Sequence, residues 1–466
     1  MSSVNVKGKK YTVIGGGTSG IAAAQLLKRQ GADVFLSEKE DTPEKRKELD
    51  VLSTYGIEWE AGQHTIDRAL SADALIVSPG ISPTIPVIQT ARKNYKPLHS
   101  EIEVAYWFCH SPILAVTGTN GKTTTTTLLG EILRNHGINA EVAGNIGTPF
   151  AAVVDKIPQP GAFVLEISSY QLEQISHFHA HIAILLNITP DHIERYQDMN
   201  EYAQTKFKIT NNQTMSDYFI YNADDPEIVK FINDVPSRRI PLSLQEVSQK
   251  GIGIRERYII SQMNGEEESL VSCAHIAIPG EHNLYNIMAC AAAARFMGVT
   301  AETIDSTIMQ FRGLEHRTEF VLSLNGRSFY NDSKGTNVDA TYYALRAIDS
   351  PIILIAGGRD KKSDLAPLND LIRSKVKSLI LIGEAAERME KAWNSLVSSV
   401  IRTSSMESAV QEAWRVSEKG DAILLSPACS SFDMFRDFEE RGEIFKTVIH
   451  QLAQNVEHNK SHYEKK

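Results

Sequence analysis

The run AVTGTNGKTTTTTLLG (residues 115–130) sets two glycines, Gly118 and Gly121, directly before Lys122 and a string of threonines. Glycines let a backbone turn tightly against an anion, and the first amides of a following helix point at it. A helix N-terminus contributes roughly 0.3–1 kcal/mol towards one exposed charge and up to about 2 kcal/mol when partly buried. A triphosphate therefore also needs the Lys122 ammonium and Mg²⁺, to which Thr123 offers a hydroxyl. The loop departs from the generic GxxxxGK[ST] pattern: Val116 stands five before Gly121, and the first glycine comes later, at Gly118. If Mg²⁺–ATP binds here, carboxylates belong at neighbouring strand ends, where a parallel sheet gathers its ligands. FVLEISSYQLE puts Glu166 at one such end, and LLNITPDHIERY puts Asp191 and His192 at the next.

A second glycine turn, Gly15-x-Gly17-x-x-Gly20, follows the apolar run YTVIG and formally fits a dinucleotide fingerprint. An NAD site would prefer an acid at the tip of the second strand, where Ser37 stands, followed by Glu38. The turn alone fits an NAD-dependent oxidoreductase or any unit that receives a pyrophosphate on backbone amides, while a non-catalytic nucleotide-binding switch, binding ATP without releasing phosphate, is an alternative for the chain as a whole. The first of these leaves the Lys122 loop unexplained.

These loops need sheets to hold them. At 466 residues the chain is too long for one core, and a prior of roughly three domains follows. Strand-like runs alternate with helical segments through residues 1–100, 101–312 and 313–466, the pattern of parallel sheets with crossover helices. The expected class is α/β with three domains: a Rossmann-like N-terminal unit, a central P-loop-type ATPase sheet and a Rossmann-like C-terminal unit. Within the central domain, residues 214–280 change to short strands (DYFIY, RYIIS, AHIAI) and read as an added β region. The closing NVEHNKSHYEKK reads as a frayed polar tail.

A net charge of −9 argues against non-specific binding to nucleic acid or anionic membranes. The four scattered cysteines read as reduced thiols of a cytoplasmic protein. The opening segment reads as strand–turn–helix rather than a leader, and no apolar run approaches the ~20 residues of a membrane span.

Eight motifs then occur in order: TGTNGKTT, GNIG, LEISSYQLE, NITPDHIERY, GEHNLYN, GLEHRTE, NDSKGTN and LSPACSSFDMF. Together they resemble the Mur ligase family over almost the whole chain, with SSYQLE and SPACSSFD in the forms of its D-glutamate-adding members. The resemblance implies ATP-driven conversion of a carboxylate into an acyl phosphate, then attack by an amino-acid amine. The substrates would be UDP-N-acetylmuramoyl-L-alanine and D-glutamate, in a monomer that closes around them. Folylpolyglutamate synthases, a nearby alternative, generally lack the first domain.

By the same resemblance, Gly118, Thr119, Asn120, Gly121, Lys122, Thr123 and Thr124 would cradle ATP. Thr123 and Glu166 would ligate one Mg²⁺ and His192 a second. Asn145 would position the γ-phosphate and acyl group. Lys206, in YAQTKFK, would carry a carbamate near the metals. Asn283 and Asn286 would meet adenine or ribose, Arg317 a phosphate and Asp332 the ribose. Thr18, Ser19 and Gly80 would face the UDP moiety, and Ser168 and Gln171 the muramoyl end. Lys334, Thr336, Lys361, Ser431 and Phe438 would receive D-glutamate; Arg359 and Asp360 stand where relatives often carry an acid and a glycine.

Overall fold

The structure is a computed structural model that describes residues 4–157, 160–191, 195–245, 250–263, 265–278, 280–360 and 362–463, with side-chain surroundings to residue 456. His192 and Lys361 lie outside the described residues.

Three sheets are present. The first has five parallel strands in the spatial order Glu58–Glu60, Asp33–Ser37, Lys10–Ile14, Ala74–Val77, Leu98–Ser100. Strand order reverses beside Lys10–Ile14, and such a switch point opens a crevice at the carboxyl ends. The second sheet has nine strands, ordered Glu266–Ser272, Tyr258–Met263, Gly251–Arg255, Arg238–Leu242, Tyr218–Asn222, Ile182–Leu185, Ile113–Thr117, Gly161–Glu166, Asn139–Gly144. The third has six, ordered Glu319–Leu324, Arg327–Asn331, Ala422–Leu425, Ile352–Gly357, Val376–Ile382, Ser399–Arg402, parallel except for its first hairpin. Central strands such as Ile113–Thr117 and Ile352–Gly357 are buried at every position, which is why they read as unbroken apolar runs.

The added β region continues the second sheet. Residues 251–272 extend it through two antiparallel pairings. AHIAI is not a strand: Cys273–His275 forms a 3₁₀ turn, and Ser272 Oγ accepts from the Ala274 amide at its start. A local side-chain bond of this kind offers the backbone an alternative to a ladder. The closing segment also differs, because helix Phe438–Tyr463 runs through NVEHNKSHY, where no proline or glycine interrupts it. No helix among the described residues is long and apolar enough to cross a membrane.

The first two sheets belong to one compact unit, residues 1–276 with 285–310; residues 277–284 with 311–466 form the other. A continuous apolar core runs between the first two sheets, with Ala23 and Leu27 of helix Thr18–Arg29, Val104 of helix Glu101–Tyr106 and Phe150 of helix Phe150–Val153 all buried in it.

Glu103 pins the same seam. Its fully buried carboxylate accepts from the amides of Ser176 (2.9 Å), His177 (2.9 Å) and Phe178 (2.8 Å) and from the Trp107 indole (3.0 Å). Burial alone would raise its pKa; these donors outweigh burial and hold it below the ordinary value. A lowered carboxyl pKa stabilises above the unfolded value, and that stabilisation is lost as pH falls through the folded one. Glu103→Gln, which turns an NH₂ towards these donors, should cost about 3 kcal/mol at pH 7 by urea denaturation. The gap from wild type should narrow as pH falls below the ordinary 4.5.

Candidate active site

Strand Ile113–Thr117 delivers the central loop to helix Lys122–Asn135. Gly118 (φ +150°) and Gly121 (φ +86°) hold backbone conformations that side chains resist, and a Cβ at Gly121 would come within 2.3 Å of Asn286 Oδ1. The loop is pinned from the next strand end. Asn120 N–H donates to Asn187 Oδ1 (2.8 Å), Asn187 Nδ2 returns a bond to Asn120 O (3.1 Å), and Thr119 N–H donates to Asn187 O (3.0 Å). Thr119 Oγ1 accepts from Thr189 N–H at 3.0 Å. Asn187 is a loop-shaping residue that the motif reading passed over, although it lies within NITPDHIERY.

Lys122 Nζ folds onto this loop, donating to Gly118 O (2.9 Å) and Thr119 O (2.8 Å). Lys206 Nζ donates to the same Gly118 O at 3.0 Å and lies 4.6 Å from the Tyr202 ring centre. Burial, and then repulsion from Lys122, pushes the Lys206 pKa well below 10.5, with Asp191 opposing.

Register sets Glu166 beside Val116 on one side and Gly144 on the other. A Cβ at Gly144 would meet Glu166 O at 2.2 Å, so only glycine permits this approach. Asn145 then holds Glu166 twice: its N–H donates to Glu166 O (2.8 Å) and its Nδ2 to Oε1 (3.0 Å). Glu166 Oε2 is buried with no hydrogen-bond partner. A buried carboxylate oxygen in that state is costly unless a proton or cation meets it, and it fits a divalent cation. Thr123 and Thr124 are buried at the start of the adjoining helix.

At the first sheet, Gly20 packs against the glycine turn. Gly16 N–H donates to Glu38 Oε2, while Ser37 Oγ donates to Glu60 Oε1 at 2.7 Å. The acid engaging the turn is therefore Glu38, one residue past the expected strand tip. Thr18 and Gly80 are exposed and Ser19 half-buried. Ser168 and Gln171 close a capping box on helix Ser169–Leu172.

In the second compact unit, Asp332 Oδ1 accepts from Thr318 N–H (3.0 Å), and Oδ2 accepts from Ser426 Oγ (2.7 Å). Burial raises its pKa to about 6 against the pull of Ser426, nearby Arg317 and Thr318. Lys334 Nζ lies 5.1 Å from the centre of the Phe438 ring, Thr336 N–H donates to Lys334 O at 2.8 Å, and Ser431 is buried. Asn283, near the start of helix Glu281–Phe296, falls in this unit, while Asn286 of that helix falls in the first. Asp360 is held by Arg388 (2.7 Å), so the departure at 359–360 has its own internal ion pair.

Comparison with known proteins bears on the whole chain. Residues 9–99 match the Mur ligase MurD-like N-terminal domain, 116–294 the Mur ligase middle domain and 316–429 the Mur ligase, glutamate ligase domain. The chain belongs to the Mur ligase family. Two relatives in that family, from Christiangramia forsetii and Chloroherpeton thalassium, are 42% and 41% identical over 96% and 97% of this chain and all of theirs. Both are named UDP-N-acetylmuramoylalanine–D-glutamate ligase. The fold also matches Mur ligase structures. One is the UDP-N-acetylmuramate-alanine ligase of Thermotoga maritima (18% identity, TM-score 0.59), over 95% of this chain and 99% of that one. Another is a pseudomurein peptide ligase of Methanothermus fervidus (21%, TM-score 0.59), over 95% and 100%.

The first glycine turn yields a stability test. A Cβ at Gly20 would lie 2.0 Å from Gly15 O, whereas one at Gly17 would meet nothing within 4 Å. Gly20→Ala should destabilise by about 2–3 kcal/mol in urea. Gly17→Ala should stay within about 0.5 kcal/mol of wild type.

Proposed function

We propose that this chain joins D-glutamate to UDP-N-acetylmuramoyl-L-alanine, cleaving ATP to ADP and phosphate, a step in peptidoglycan precursor synthesis. The observation that carries the reading is the pairing of end-to-end likeness to ligases of that name with a buried, partnerless Glu166 oxygen beside the lysine-bearing loop.

In the reaction, a carboxylate oxygen of the alanyl group attacks the γ-phosphorus and ADP departs. The neutral amine of D-glutamate then attacks the acyl carbon, phosphate leaves, and the amine proton passes to solvent. A free carboxylate and a triphosphate repel each other, so the site must supply positive charge where they meet. Lys122, released from Gly118 O and Thr119 O, would hold the β- and γ-phosphates over the loop amides of residues 118–124. Asn145, already fixed on Glu166, would orient the γ-phosphate and acyl group.

Thr123 and Glu166 would hold one Mg²⁺, and His192 with a carbamylated Lys206 a second; bound there, the ions neutralise phosphate charge. Carbamylation would turn the Lys206 end from a repelling cation into an anionic ligand, relieving its conflict with Lys122. Asn283 and Asn286 are assigned to the adenosine, Arg317 to phosphate and Asp332 to ribose. Thr18, Ser19 and Gly80 are assigned to the UDP group, and Ser168 and Gln171 to the muramoyl end. Lys334, Thr336, Lys361, Ser431 and Phe438 are assigned to D-glutamate. Residues 1–100, 101–312 and 313–466 would then serve the UDP substrate, ATP and the amino acid in turn, in a cytoplasmic monomer.

Phosphate release, measured with UDP-N-acetylmuramoyl-L-alanine, ATP, Mg²⁺ and a panel of amino acids, should appear with D-glutamate and not with its L-enantiomer. Lys122→Ala and Glu166→Ala should each lower it by about 10³-fold or more while leaving the circular dichroism unchanged. Release at near wild-type rate from either variant would overturn the site.

Lys206→Ala should lose turnover and regain part of it with added short carboxylic acids. In wild type, ¹³C-labelled bicarbonate should give a carbamate resonance that this variant lacks. Its absence from the active wild-type enzyme would refute the modification.

A further inference from the structure

Glu101 opens helix Glu101–Tyr106, directly after the edge strand Leu98–Ser100 of the first sheet, and is 1% exposed. Its Oε1 accepts from Gln171 Nε2 at 2.7 Å, whereas Oε2 is buried with no hydrogen-bond partner. The backbone joins the two elements as well, with Ser100 N–H donating to Gln174 O at 3.0 Å.

The bond to Gln171 has one permitted sense. Gln171 Oε1 accepts from the Ser168 backbone amide at 2.9 Å, and an amide N–H can only donate. Gln171 must therefore turn its Nε2 to Glu101, which must accept. Ser168 Oγ is fixed in the same network, donating to Gln171 Oε1 (3.2 Å) and accepting from Gln171 N–H (3.3 Å). The capping box thus decides which end of Gln171 faces the seam, and the buried carboxyl holds that end in place. Burial raises the Glu101 pKa to about 7, with Gln171 and then Ser19 pulling it back. A carboxyl kept at that cost in an apolar seam, with half its hydrogen-bonding capacity unused, is poor structural cement. An apolar residue there would stabilise the seam better.

We infer that Glu101 is a positioning residue for the sugar-nucleotide substrate, joining the first sheet, to which the UDP group is assigned, to Gln171 and Ser168 at the acyl end. The role rests on the proposed function, because it assigns those two ends to one molecule. Glu101 touches neither the reacting atoms nor the nucleotide; it fixes the spacing at which the first and second sheets present their polar groups. A ligand reaching only one end gains nothing from that spacing.

The test uses the full-length protein and the variants Glu101→Ala, Glu101→Gln and Glu101→Asp. KM and kcat would be measured for UDP-N-acetylmuramoyl-L-alanine and for ATP, and calorimetry would compare binding of UDP with that of the complete muramoyl nucleotide. Glu101→Ala should raise KM for the muramoyl nucleotide about tenfold, leave KM for ATP within about twofold, and erase most of the preference for muramoyl nucleotide over UDP. Glu101→Gln still offers a carbonyl to Gln171 Nε2 and should stay within about threefold of wild type. Glu101→Asp withdraws the acceptor by one methylene and should behave like the alanine variant, which keeps the test open if alanine does not fold. Unchanged KM and UDP preference in a folded alanine or aspartate variant would overturn the inference, as would equal damage from glutamine. Wild type that binds the muramoyl nucleotide preferentially yet releases no phosphate would sink the proposed reaction, while the calorimetric comparison would still decide the role of Glu101. Wild type with no such preference would sink the role of Glu101.

Discussion

Two amines, those of Lys122 and Lys206, converge on a single acceptor, the carbonyl oxygen of Gly118. Like charges do not share a partly dry site unless something holds them there. Here the holding is done by backbone: a fully buried strand, two glycines at positive φ, and the Asn187 clamp from the neighbouring strand end. Burial and the nearby Lys122 charge both disfavour the Lys206 ammonium, so the charge cost of the arrangement falls on Lys206. The Glu166 carboxylate is brought level with Val116 and fixed by Asn145 on one oxygen only. The polar groups around the loop are thus fixed by the protein itself, and preorganisation of that kind is where electrostatic catalysis draws its strength.

The second organising constraint is the seam between the first two sheets. Glu103 and Glu101 sit two residues apart on one short helix, both buried, with opposite electrostatic outcomes. Glu103 gathers three amides and an indole and stays ionised; Glu101 meets mainly one carboxamide, and its pKa rises to about 7. Burial is shared, and the number of hydrogen-bond donors decides the sign.

What could be read in the residues, and what could not, divides along local lines. The glycine turn before Lys122 and the strand ending at Glu166 carry their own signals, because continuous apolar runs, turn glycines and terminal acids are local features. The AHIAI segment failed as a strand because Ser272 captures its backbone locally, a competition that apolar periodicity does not register. The polar ending reads as tail, yet helix Phe438–Tyr463 extends into it. Glu101 and Asn187 escaped notice because their importance lies in partners about 70 residues away in sequence. The strand tip at Ser37 was legible, but that Glu38 beyond it turns back to the Gly16 amide depends on a contact 22 residues away in sequence.

The path of the chain has a consequence of its own. It passes from one compact unit to the other at 276/277, 284/285 and 310/311, and helix Glu281–Phe296 begins in one and finishes in the other. A gene fragment starting at codon 311 would encode its unit without the segment 277–284. Neither part can be exchanged between genes by one recombination event. Nor can the ribosome release the first unit complete before it has begun making the second.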